Sequence, residues 1–447
     1  MAFWRKIDMR RTVLVCILSL LLVTSIGSLF ASSAATSCTL EFWVPWSSGP
    51  WNETVHRLRD AFMAKYPDID INILATDLGT TEKFLTAVVG GAPPDVSLSI
   101  WTPDFAMRGA VTDLTPFIEA SNINMDNYLP AQLQRSFWEG KVYGIPAIEA
   151  GFIFGLAWNK QLFREAGLNP EVPPANWEEL GQYSDKITQM DSVGNIATLG
   201  FDPMDGEASQ VLHWASSAGV SLFDYEDGKY QIDHPHVIEA VDFVASFFKK
   251  YGPENLASYR ADSAGDPRSA FMREKQAMIV NGYWMPGEIA RLAPELEYGI
   301  SWSPSRTGEK FQTAGGWSAV IPTGAKHPEE AWQFIEFLAS DEANAIVFDT
   351  VGTFVVTRSF VDTVLGGQDG SAQGISPGLQ WYVESGFAPG VTLYPEVNVP
   401  GAAEARDRFR SLVDFVAYGK RTAKETMEEL QSLTQQAYDE AIRAGRR

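Results

Sequence analysis

The sequence holds 14 tryptophans among 447 residues. Four of them close apolar runs or follow glycines: Trp46 in VPWSS, Trp101 in SLSIWT, Trp284 in NGYW and Trp317 in GGWS. An indole face can stack on the apolar C–H face of a sugar ring while nearby polar groups take its hydroxyls. The polar candidates are Ser47 beside Trp46, Asp104 after Trp101, Glu149 in GIPAIEAG, Asp202, and Asn281, whose amide can donate and accept at once. Gly315 and Gly316 before Trp317 would let a ligand approach the backbone closely. Trp214 in VLHWASSAG shares a helical stripe with Val211 and Ala218, which suggests core. Trp43, inside an apolar run, reads as core.

Catalytic and metal signatures are sparse. Of five histidines, only His234 and His236 lie close, and Pro235 between them reads as a turn rather than a metal site. No G-x-S-x-G elbow, P-loop or H-E-x-x-H run is present. The expectation is a binding protein with no metal and no cofactor. A glycosidase using Glu149 and Asp202 is the enzymatic alternative, because it too needs aromatic platforms and two carboxylates.

The formal net charge is -21. That sign opposes a grip on nucleic acid or anionic lipid. The N-terminal residues carry Arg5, Lys6, Arg10 and Arg11, then an apolar run to Phe30, then Ala31, Ser32, Ser33, Ala34 and Ala35. This order is that of an export signal over residues 1–37, with a retained membrane anchor as its rival. The chain has two cysteines, and Cys16 falls inside the signal. A disulfide framework is therefore excluded. AATSC loosely matches a lipoprotein cleavage box that would acylate Cys38, although Ala35 stands where a larger aliphatic residue is usual.

Positioning these residues requires regular elements. Leu40 to Val44 is a short apolar strand stopped by Pro45. Asn52 could cap a helix carrying Val55, Leu58, Phe62 and Tyr66, ended by Pro67. DIDINIL alternates as a strand, Thr81 to Val89 is a helix, and PDVSLSIW returns to strand. That order implies a parallel sheet with helices on both faces. GFIFGLAW reads as a further strand, QAMIVNG as another, and HPEEAWQFIEFLAS as a helix with Pro328 in its first turn. Thr422 and Glu425 predict a capping box opening a long C-terminal helix. In such sheets ligands bind beyond the strands' carboxyl ends, where Trp46 and Ser47 fall.

Several stretches occur in an order that resembles the extracellular solute-binding proteins of ABC importers, the branch including maltose- and glycerol-phosphate-binding proteins. They are FMAKYPDIDINI, GGAPPDVSLSIWTPDFAMRGAVTDLTPFI, GKVYGIPAIEAGFIFGLAWNKQLFREAGL, NWEEL, FMREKQAMIVNGYW and GGWSAVIPTGAKHPEEAWQFIEFLAS. One departure is Trp158-Asn159, where the family usually has Tyr-Asn. The resemblance implies an α/β, two-lobed periplasmic-binding-protein fold of type II with the ligand between the lobes, and it alone makes Trp214 an equal candidate for a stacking ring. The expected lobes are 38–147 plus 302–355, and 148–301 plus 356–447. Crossings are expected near Ile145–Gly151, Tyr298–Ser303 and Thr353–Arg358. It further implies an exported monomer, periplasmic or tethered at the membrane's outer face. Such a protein captures a mono- or oligosaccharide and hands it to the importer's transmembrane permease subunits. A glycerol-phosphate or other polyol-phosphate ligand is the variant, with Arg358 and Arg406 as the cations it would need.

Overall fold

The computed structural model describes residues 38–79, 81–262, 268–365, 376–386 and 388–445. The expected export signal, residues 1–37, lies outside them. Ten strands carry the architecture: β1 (Cys38–Val44), β2 (Ile69–Ala75), β3 (Val96–Ser99), β4 (Ile145–Phe152), β5 (Gly155–Asn159), β6 (Ile196–Phe201), β7 (Gln276–Asn281), β8 (Tyr298–Trp302), β9 (Phe311–Val320) and β10 (Thr392–Pro395). They form two sheets, one per lobe. The first runs β10-β9-β3-β1-β2 with β4 also paired to β9, and the second runs β8-β5-β7-β6 with Gln189–Met190 at its edge.

β1 pairs in parallel with both β2 and β3, as the strand–helix–strand order requires. The intervening helix Gly49–Lys65 buries Val55, Leu58 and Phe62 at helical spacing. It begins earlier than the sequence suggests. Pro50 sits in its first turn, and Asn52 does not cap it but donates back to the Trp46 carbonyl at 3.1 Å. Phe62 packs edge-on against Phe334 of the Pro328–Leu338 helix. Trp43 is buried as expected, and Trp158 is buried with its indole N–H donating to the Pro170 carbonyl at 2.8 Å.

GFIFGLAW is not one strand. Phe152 ends β4 on the first sheet, and Gly155 opens β5 on the second. The run is buried throughout, so no alternation marks the break. The chain returns to the first sheet between β8 and β9. At the third expected crossing, Val356 donates its amide to Ala150 of β4 at 2.9 Å. β10, counted by sequence with the second lobe, adds to the edge of the first sheet. The predicted capping box forms: Glu425 N–H donates to Thr422 Oγ1 at 3.1 Å, and Thr422 N–H to Glu425 Oε2 at 3.0 Å.

Candidate functional site

β9 holds the key to the site's geometry. Its register against β4 jumps between Gly316 and Ser318, so that Ala147, Ile148 and Glu149 face only Trp317. Inside this bulge Ile148, buried, adopts φ +65°. A β-branched residue in that region is strained by roughly 1–3 kcal/mol. Gly316 adopts φ +125°, and a Cβ there would lie 2.2 Å from the Glu149 carbonyl oxygen. The bulge thus brings Glu149 and Trp317 together on one wall.

That wall lines a cavity of about 230 Å³. Trp101, just past β3, and Trp317 and Gly316 of β9 come from the first sheet. Trp284, just past β7, and Glu207, after β6, come from the second. Glu396 and Arg406 complete the polar lining. Trp284 also borders an adjoining hollow of about 280 Å³ shared with Trp51, Glu288 and Arg291. A larger, more open hollow of about 700 Å³ lies at Tyr128, Trp138 and Tyr225. Of the expected ligand residues it holds only Arg358, one of the two cations a phosphate ligand would need, whereas Arg406 and five others converge on the smaller cavity, which is the candidate site.

The charges in it are coupled. Burial, then the neighbouring Glu288, pushes the Glu149 carboxyl up to about 7, against a hydrogen bond from Trp317 and the charge of Arg135. Burial, then Glu396 and Glu149, pushes Glu207 up to about 8, against Arg406. Glu396 is raised by burial and opposed by Arg135 and Arg406. Arg135, 2% exposed, approaches Glu396 to 2.7 Å, an ion pair whose angles miss hydrogen-bond geometry. Arg406 lies with its guanidinium 4.8 Å from the Trp101 ring centre and donates to the Gly79 carbonyl at 2.6 Å. Trp101 donates to the same carbonyl at 3.1 Å. The result is an aromatic cavity holding three partly neutralised carboxylates, which suits hydroxyl donors flanking an apolar ring face.

The structure gathers Trp101, Glu149, Trp284, Gly316 and Trp317 on this cavity. Gly315 sits beside it, where a Cβ would lie 3.1 Å from Glu396 Oε2. Other candidates stand elsewhere. Trp46 stacks on Trp51 at 5.0 Å and meets Trp317 edge-on at 5.8 Å, so it backs the wall rather than lining it. Ser47 is exposed. Trp214 is fully buried, its N–H donating to the Ala208 carbonyl at 2.6 Å. Asp104 is buried against Arg108 at 2.5 Å. Asp202 is buried in a two-pronged pair with Arg260, at 2.6 and 2.5 Å. Asn281 closes β7, its side chain accepting from Gly282 N–H at 2.8 Å. Sequence reasoning missed Glu207, Glu396 and Arg135. A carboxylate after the TLGF strand and one in YPEVN were the available signals.

The sequence model of a family described as bacterial extracellular solute-binding protein matches residues 49–345. A binding protein of Brucella abortus is 26% identical over 318 residues, covering 70% of this chain and 74% of its own. The multiple sugar-binding protein of Streptococcus mutans is 23% identical over 374 residues, covering 80% and 84%. A solved structure with mannotriose bound matches with a TM-score of 0.77 at 25% identity, over 89% of this chain and all (100%) of that one. A solute-binding protein of Thermotoga lettingae bound with α-D-tagatose has a TM-score of 0.72 at 22% identity, over 90% and 100%. These likenesses bear out the two-lobed α/β fold.

Proposed function

The chain belongs to the bacterial extracellular solute-binding proteins, and on that premise we propose that it captures a carbohydrate for an ABC importer. The observation that carries this reading is the convergence of Trp101, Trp284 and Trp317 with Glu149, Glu207 and Glu396 on one cavity between the two sheets. Rings from both lobes can sandwich a sugar, and carboxylates on both sides can accept its hydroxyl protons. Mannotriose, bound in one similar structure, and the sugars bound by the Streptococcus mutans relative are of the same chemical class.

In this reading the two lobes, each built on one of the two sheets, close on the ligand. The closed form then meets the permease subunits at the outer face of the membrane. Export follows from the family and from the basic-then-apolar start of the chain.

The glycosidase alternative loses its carboxylate pair. Glu149 faces the cavity, whereas Asp202 is held by Arg260 beside a different hollow. A melting-temperature screen against mannobiose, mannotriose, arabinooligosaccharides, tagatose and glycerol phosphate tests the proposal, because a ligand of the native state raises the melting point. Chromatography of the stabilising compound afterwards should recover it intact. A screen in which only glycerol phosphate stabilises, or one that recovers cleaved sugar, would overturn the reading.

A further inference from the structure

Among the described residues, one group of side chains far from the cleft has ligand types suited to a transition metal. Cys38, His327 and Glu330 each present one donor atom, and the three atoms lie within 4.8 Å of one another. All three side chains are half-buried. We propose that Cys38, His327 and Glu330 form a binding site for a divalent cation of the zinc class.

The scaffold explains why three residues so distant in sequence meet. Cys38 opens β1, its amide donating to the Asp68 carbonyl at 3.1 Å. His327 immediately precedes the Pro328–Leu338 helix, and Glu330 lies in that helix's first turn, three residues on. That spacing places two side chains on one face. Asp95, 3% exposed, ties the elements together. Its Oδ1 accepts the amides of Lys326 and His327, each at 3.0 Å, and its Oδ2 accepts the amide of Glu41 at 3.0 Å. One buried carboxylate thus holds the His327 backbone directly and ties the start of the Glu330 helix to β1 three residues from Cys38.

The chemistry fits. Zinc binds thiolate sulfur, imidazole nitrogen and carboxylate oxygen at about 2.0–2.3 Å, which sets tetrahedral ligand separations of roughly 3.3–3.8 Å. Drawing the three donors in by about 1 Å is within reach of half-buried side chains in staggered wells. The thiol gives up its proton to solvent as the sulfur–metal bond forms, so binding releases one proton per cation. Three protein ligands leave the fourth position to water. Calcium and magnesium, which take oxygen ligands, are disfavoured by the thiol and imidazole.

The site competes with lipidation. Transfer of a diacylglyceryl group to Cys38 would convert its thiol to a thioether and remove the thiolate. The exported full-length protein, stripped with chelator, should be titrated with Zn²⁺ alone by calorimetry and with Co²⁺ by absorption. One Zn²⁺ per chain is expected, and Co²⁺ should give a thiolate charge-transfer band. Cys38→Ser should abolish the band, and His327→Ala and Glu330→Gln should each weaken Zn²⁺ binding at least about tenfold. Because the His327 side chain caps nothing, its variant should keep the wild-type apo melting curve. Absence of the band, unchanged Zn²⁺ affinity in both His327→Ala and Glu330→Gln, or a diacylglyceryl mass on Cys38 would overturn the proposal.

Discussion

Trp284 and Trp214 separate the two fates open to an indole in this chain. Trp284 lines the cavity, whereas Trp214 is fully buried behind it. Trp284→Ala should cost about 1–3 kcal/mol of sugar binding, a loss of roughly five- to 150-fold in affinity, with the apo melting curve nearly unchanged. Trp214→Ala should instead cost about 3–5 kcal/mol of stability. Denaturant unfolding and calorimetry on the two variants check both statements. Glu207 makes a different prediction. An unfolded glutamate loses its proton near 4.5, but in the fold this one holds it to about 8. Between those values the folded state binds more protons, so its stability falls as pH rises. Glu207→Gln should therefore flatten the decline in apo melting temperature between pH 5 and pH 8. Parallel curves for variant and wild type would contradict the coupling. Neither Glu207 nor Glu396 was legible in sequence, because carboxylates far apart in the chain reveal their grouping only when folded. The four tryptophans were legible as a set, since a large ring at a strand end or beside glycines is a local signal. Which of them line the cavity was not, and Trp46 stands one ring behind.

Between β4 and β9 the site depends on a backbone irregularity rather than on a side chain. Gly316→Ala places a methyl group 2.2 Å from the Glu149 carbonyl and forces φ +125° on a residue that rarely adopts it. The variant should be destabilised by more than about 1 kcal/mol and should lose ligand affinity even where it remains folded, because Glu149 and Trp317 share that bulge. Urea melts and calorimetry of the folded fraction test the two effects separately. At the same scale, Thr422→Ala should cost about 1 kcal/mol through the lost cap while leaving binding unchanged. The capping box was readable because both of its residues lie within one turn. The bulge was not, since GIPAIEAG and GGW announce flexible backbone but not their mutual register. The break in GFIFGLAW was hidden for a related reason. A strand buried on every side shows no period, so a change of sheet leaves no trace in it.

Two sheets joined through β4–β5 and β8–β9, with a cavity lined from both, are the arrangement that the proposed closure needs. Small-angle scattering should show a smaller radius of gyration on saturation with the sugar identified by the melting screen, and an unchanged one with sugars that do not bind. The two-lobed arrangement was readable from motif order across the chain. The cavity's exact lining was not, because it depends on the segments after β6 and after β10, whose shapes the sequence does not encode locally. The most direct test of a carbohydrate site between the lobes is calorimetric titration of wild type, Trp284→Ala and Trp317→Ala with that sugar, after confirming that all three melt alike when empty. Such a site binds one sugar per wild-type chain and roughly five- to 150-fold more weakly in each variant. Wild-type affinity in both variants would contradict it.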